Sequence, residues 1–295
     1  GHFDLLHLHT YNPITDWAAI PLLRRRASIV VQSVHNVRPH DSIFPPTMET
    51  SLLRRGYRAS SALVVAHDQL GHQLVTEFGV DPSLVHTIPF PITMPIRAPE
   101  RAGQVEGGAL TFLFFGTLRR NKGVMVMLEA IRHLNQRADV AGQIRFIIAG
   151  RGEPSLEAAV TAAERDLGNL TTEIGFVTDQ RRQELYDQAH CVLLPYTSIN
   201  AQSGVLHDAY SQHLPVIATD IGPIGTTVRE HRSGWVIEPG SQSAIVDAIL
   251  TARSSPQSLA AAGVRAGAVA ENRTPDRIAA RLRDLYDELL SSRIA

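Results

Sequence analysis

An alternation constrains this chain more than any other feature. Short apolar runs take turns with longer segments whose apolar residues recur at helical spacing. Residues 4–9, 28–34, 62–66 and 84–89 read as strands, with helices expected over 16–26, 47–58 and 69–78 between them. Strands that alternate with helices imply parallel pairing, because a parallel neighbour is reached only through a crossover. The alternation restarts at 110–115 and continues through strands 144–149, 171–174, 191–194, 216–219 and 235–237. The matching helices are expected over 124–137, 155–167, 179–189, 204–212 and 244–252. The fold class expected is therefore α/β, with one unit over 1–95 and another over 109–270. Residues 96–108, with Pro99, Gly103, Gly107, Gly108 and little periodicity, read as the linker. In the tail, Ile278, Leu282, Leu285 and Leu289 form a helical stripe over 276–290.

Composition removes several functional classes. Apolar residues make up 44% and charged residues 19%, which excludes a mainly disordered chain. Lys and Arg number 28 against 29 Asp and Glu, a net charge of −1 that gives no basic footprint for nucleic acid. Cys191 is the only cysteine, so neither an internal disulfide nor a multi-cysteine zinc site is available. No run approaches the ~18 apolar residues of a membrane-spanning helix, and no signal-peptide pattern opens the chain. A cytoplasmic setting is expected. The chain begins without Met and enters a strand at once, which reads as sequence missing before Gly1.

Doubly wound sheets bind ligands outside the carboxyl ends of their strands, so the residues that follow each strand matter most. After strand 110–115 comes Gly116-Thr117-Leu118-Arg119-Arg120-Asn121-Lys122-Gly123, a glycine turn with cations ahead of a helix, which suits a phosphate. A solvated basic loop would read the same way. After strand 191–194, Ser203 and Gly204 stand where a helix starts, and free N–H groups there attract anions. Asp208 lies about one turn further along, where a carboxylate can accept from two adjacent sugar hydroxyls. An ordinary capped helix would also fit. His35 follows strand 28–34 and is placed to serve as acid, base or hydrogen-bond donor. His7 and His9 share one strand face, but no third ligand accompanies them and no metal is expected.

Together these segments resemble family four of the retaining glycosyltransferases, across essentially the whole chain. FFGTLRRNKG is similar to that family's phosphate loop, and IIAGRGEP to its next strand and glycine turn. IGFVTD resembles the turn whose backbone meets the nucleobase, and the segment from Cys191 to Gly240 its nucleotide-sugar region. FDLLHLH, SVHNVRPHD and residues 62–91 resemble the middle of its N-terminal domain. The resemblance implies the GT-B fold, two facing Rossmann-like domains with parallel sheets. The N-terminal one (1–95) would be incomplete and joined by the tail 276–295. It implies transfer of a sugar, with retention of configuration, from a nucleoside diphosphate sugar, UDP- or GDP-linked. The acceptor would be a glycan, a lipid-linked molecule or a small molecule. No cofactor and no metal are implied.

By residue, the resemblance implies that Arg119 and Lys122 neutralise the departing diphosphate, joined by backbone N–H groups of Ser203, Gly204 and Val205. Asp208 would hold the ribose hydroxyls, Val177 would lie against the base and His35 would touch the donor sugar. The family's paired glutamates are here Asn200 and Asp208, and its early loop arginine is Thr117. The missing first part of the N-terminal domain and the loss of charge at Asn200 leave an alternative open, a nucleotide-binding accessory subunit or pseudoenzyme without activity of its own. Arg24, Arg25 and Arg26, and Arg54, Arg55 and Arg58, follow apolar stretches; peripheral contact with the inner face of a membrane is one reading of them, helix-end charges the other.

Overall fold

The computed structural model describes residues 1–9, 16–39, 44–97, 108–198 and 203–292. Two compact units emerge, one from Gly1 to Pro91 that the segment from Arg273 rejoins, and one from Ile92 to Asn272.

The first unit contains β1 (Phe3–Leu8), α1 (Asp16–Leu23), β2 (Ala27–Val34), α2 (Pro46–Ala59), β3 (Ala62–Val65), α3 (Asp68–Phe78) and β4 (Val85–Thr87). Its sheet runs β1-β2-β3-β4, parallel throughout. Successive strand side chains face opposite ways, and the core divides accordingly. Leu63 and Val65 pack with Leu53, Tyr57, Leu74 and Phe78 from α2 and α3. Ile29, Val31, Ala62 and Val64 pack instead with Leu285, Leu289 and Leu290. Those last three belong to the final helix of the chain, introduced below. α1 stops three residues before the expected end, and Arg24, Arg25 and Arg26 form the turn into β2.

The second unit contains β5 (Leu110–Phe115), α4 (Val124–Asn135), β6 (Ile144–Gly150), α5 (Pro154–Asp166), β7 (Leu170–Ile174), α6 (Asp179–Gln188) and β8 (Cys191–Leu194). It continues with α7 (Gly204–Ser211), β9 (Val216–Thr219), α8 (Gly222–His231), β10 (Gly234–Ile237), α9 (Gln242–Ser254) and α10 (Pro256–Glu271). The final helix, α11 (Pro275–Ser291), covers the β1–β4 sheet with the expected stripe. Thr274 caps its start, accepting from the Arg277 N–H.

The second sheet is parallel and ordered β10-β9-β8-β5-β6-β7. The strand sequence runs outward from β5 in one direction and from β8 in the other. The order therefore reverses between β5 and β8, and in open α/β sheets ligands bind outside the carboxyl ends of the strands at such a reversal. One apolar cluster lines the α4, α5 and α9 face and another the α6, α7 and α10 face, so both sides of the sheet are covered.

Two helices lie where no helix was expected. In α8, Gly222, Pro223 and Gly225 read as breakers, yet Pro is tolerated in a first helical turn, where its missing N–H has no partner to lose. α10 is rich in Ala and Gly and carries little apolar contrast. Its small residues admit a neighbour's backbone instead: a Cβ on Gly263 would fall 2.5 Å from the His213 carbonyl oxygen.

Four of the basic residues of the first unit, Arg24, Arg54, Arg55 and Arg58, have partners within it. Arg54 donates to the Phe78 carbonyl at 3.1 Å and Arg58 to the Gly79 carbonyl at 3.1 Å, which satisfies the end of α3. Arg24 donates to the Ala59 carbonyl, and Arg55 lies over the Trp17 ring. Among the described residues no helix is long and apolar enough to cross a membrane.

Candidate functional site

The loop after β5 and the turn after β8 close on each other at the switch point. Gly116 has φ of +121° and Gly123 of +71°, conformations that L side chains rarely adopt. A Cβ on Gly123 would lie 1.8 Å from the Pro195 carbonyl oxygen, so only glycine lets the two segments meet. Asn121 binds them from both sides. Its carbonyl accepts from the Thr197 N–H at 2.9 Å, and its side-chain amide donates to the Ser198 carbonyl at 3.3 Å. Thr219 at the end of β9 donates to the Tyr196 carbonyl at 2.7 Å and fixes that turn from below.

Within this framework Lys122 lies against Tyr196. Its ammonium stands 3.6 Å from the centroid of the Tyr196 ring. Burial first, and then the nearby Arg119 guanidinium, pull Lys122 down to about 8 from its usual 10.5. Arg119 itself is exposed, at the start of the short 3₁₀ turn Arg120–Lys122. Two cations so close repel each other, and an anion between them would relieve both.

Ser203 occupies the N-cap position of α7, as expected, but its side chain does not cap the helix. Its hydroxyl is bonded to the Tyr196 hydroxyl at 3.1 Å instead. Among the described residues nothing accepts from the N–H groups of Gly204 and Val205. Among these residues the first turn of α7 thus presents free donors, together with the positive end of its dipole. Val205 reaches back to the β5 loop: a Cβ on Gly116 would lie 3.5 Å from its methyl group.

Asp208 stands on α7 and is 7% exposed. Burial pushes its carboxyl up, against the pull of the Arg182 guanidinium 3.8 Å away. Arg182, on α6, also reaches Asp179 at 3.2 Å, and its buried Nε has no hydrogen-bond partner among the described residues. Val177 is half-buried against the same apolar cluster as Val205 and Tyr196. The exposed ring of its turn is Phe176, 77% accessible, with the Arg151 guanidinium 5.8 Å from its centroid.

Seven of the eight expected site residues therefore belong to the second unit: Arg119, Lys122, Val177, Ser203, Gly204, Val205 and Asp208. His35 belongs to the first. Its Nε2–H donates to the His9 carbonyl at 2.5 Å, and its ring stacks on Phe90 at 5.0 Å. Beside it, His7 bonds Ser33 at 2.9 Å and Tyr286 at 2.5 Å. Burial, His9 and His35 bring His7 down to about 4. No group of three or more His, Cys, Asp or Glu fit to hold a metal occurs among the described residues. Asn200, and most of the linker expected over 96–108, lie outside them.

Sequence reasoning missed Tyr196, Arg182 and the coupling of Gly123 to Pro195. The position of Pro195-Tyr196 directly after β8, at a strand's carboxyl end, was a usable signal for the first. Arg182 is separated from Asp208 by 26 residues, and nothing local links them.

Residues 109–255 match the family model described as Glycosyl transferases group 1. D-inositol 3-phosphate glycosyltransferase 1 of Catenulispora acidiphila is 26% identical over 290 residues, 91% of this chain and 68% of that relative. Phosphatidyl-myo-inositol mannosyltransferase of Mycobacterium leprae is 25% identical over 258 residues, 85% of this chain and 64% of that protein. Among solved structures, Anabaena Alr3699/HepE in complex with UDP superposes with a TM-score of 0.77 at 14% identity, covering 96% of this chain and 78% of its own. Sucrose-phosphate synthase from Thermosynechococcus elongatus superposes with a TM-score of 0.74 at 15% identity, covering 98% of this chain and 74% of its own. The fold is thus GT-B, as expected, with a parallel sheet in each unit.

Proposed function

We propose that this chain, a glycosyltransferase by its fold and its matched domain, moves a sugar from a nucleoside diphosphate sugar to a hydroxyl of a phosphorylated polyol. The observation that carries this reading is the convergence at the switch point of the second unit. Lys122, Arg119 and the N–H groups of Gly204 and Val205, unpartnered among the described residues, together favour a group that gains negative charge as it leaves. A diphosphate is such a group. Anabaena HepE has been solved with UDP and with UDP-glucose, which supports a uridine nucleotide as the donor here. Relatives named for inositol 3-phosphate and phosphatidyl-myo-inositol support the acceptor class.

In this reading Asp208 accepts from the ribose hydroxyls in its ionised form. The backbone at Val177 lies along the base. His35 contributes to the sugar end, and Ser203 through its backbone N–H to the phosphate end. Retention of anomeric configuration and independence from a metal belong to the same proposal and rest on the family resemblance. So does a cytoplasmic setting. Peripheral contact with a membrane would fall to Arg25 and Arg26, since Arg24, Arg54 and Arg58 bond carbonyls of their own unit. The accessory-subunit reading has less support, because the relatives are named for transfer.

The test is a transfer assay that pairs UDP-glucose, UDP-N-acetylglucosamine and GDP-mannose with D-inositol 3-phosphate, without added metal. Release of nucleoside diphosphate together with a glycosylated product is expected from one pair. Proton NMR of the product would report the anomeric outcome. If no pair yields product from folded protein, the proposed reaction is wrong.

A further inference from the structure

Tyr196 lies between two parts of the proposed phosphate site and touches both. Its side chain is 1% exposed, so it cannot itself serve as a binding surface. Its ring face holds the Lys122 ammonium at 3.6 Å, and its hydroxyl holds the Ser203 Oγ at 3.1 Å. Its carbonyl is fixed by Thr219, so the ring has a defined seat.

We propose that Tyr196 is a positioning residue for the donor diphosphate, seating the Lys122 ammonium on its ring while its hydroxyl keeps Ser203 from capping α7. The inference rests on the donor-site reading above and deepens it. Two physical effects are involved. An ammonium over an aromatic face is attracted by the ring quadrupole, more strongly when partly desolvated, and a flexible lysine is thereby held in one place. A serine at an N-cap ordinarily accepts from the N–H two or three residues on, here Val205 or Leu206. The Leu206 N–H already donates to the Ser203 carbonyl at 3.1 Å, which leaves Val205 as the donor a freed Ser203 hydroxyl would take. By engaging that hydroxyl, Tyr196 leaves the Val205 N–H open to phosphate. The ring serves the cation and the hydroxyl serves the helix, so the two effects can be removed one at a time.

The test is calorimetric titration with UDP and with GDP, using the whole chain and two mutant cycles. Tyr196→Phe keeps the ring and the packing but releases Ser203. It should weaken the nucleotide about fivefold, the size of a typical cap. Adding Ser203→Ala in that background removes the competing oxygen and should restore most of the loss. A merely structural tyrosine would show no such rescue, and Tyr196→Phe binding like wild type would overturn the hydroxyl's role. Tyr196→Leu removes the ring as well as the hydroxyl and should bind several-fold more weakly than Tyr196→Phe, but in a Lys122→Ala background the Leu and Phe variants should bind alike. Additive losses there would overturn the ring's role. If Tyr196→Leu does not fold, the Phe cycle still decides. If wild type binds neither UDP nor GDP, the donor-site reading itself fails, which separates that failure from failure of the tyrosine's role.

Discussion

Lys122 is the residue on which most depends. Held near 8 by burial and by Arg119, it is charged at neutral pH but close to its titration range. An anion placed beside it must raise its pKa, since opposite charge favours the protonated form. Nucleotide binding between pH 8 and 9 should therefore take up a proton. Titration in two buffers of different ionisation enthalpy would detect it, and Lys122→Ala should abolish the uptake. Affinity should fall as pH rises through this range. Asp208 has the opposite sign. Burial raises its pKa, so acidification neutralises it sooner than an exposed carboxyl, and Asp208→Asn should mimic the acid form with a loss of about tenfold in UDP affinity. Arg119, Lys122, Ser203 and Asp208 were legible in the sequence because each follows a strand end or opens a helix. Tyr196 and Arg182 act through partners that only the folded sheet brings near them, so neither stood out.

The element that makes the site is the paired loop of Gly116–Gly123 and Pro195–Ser198. Its geometry depends on glycine at 123, where a methyl group would strike the Pro195 carbonyl oxygen. Gly123→Ala should lower unfolding stability by about 3 kcal/mol or more, through both the clash and the positive φ. Urea denaturation would measure this, and the surviving folded fraction should bind UDP weakly. Strand–helix alternation announced almost every element of both sheets, because buried parallel strands are short apolar runs that surface helices do not imitate. α8 and α10 escaped for local reasons. A proline and two glycines at the start of α8 imitate a turn, and α10 packs by close backbone approach rather than by an apolar stripe. Ser203 was placed correctly at the start of α7, but the tyrosine that claims its hydroxyl lies seven residues back, across residues 199–202.

At the scale of the molecule, each unit has its own parallel sheet and core, and the final helix returns to complete the first. His7 ties that return together, bonding Ser33 of β2 and Tyr286 of α11. Its folded pKa of about 4 lies below the ordinary 6.5, so between these values the unfolded chain binds more protons. Stability should accordingly rise with pH from 4 to 6.5 and be lost on acidification through that window. The loss should be roughly 1–2 kcal/mol after allowance for the ring's partial exposure. His7→Gln should flatten this part of the pH profile in urea denaturation. The second unit has no stake in this pair and should keep its nucleotide affinity in the same variant. The central claim is that the second unit binds a nucleoside diphosphate at its switch point. The most direct measurement is calorimetric titration of the chain with UDP, GDP and ADP, without metal, beside Lys122→Ala. Binding of one nucleotide, weakened at least about tenfold in the variant, is the expected result. Equal affinity in the two proteins, or no binding by folded wild type, would contradict it.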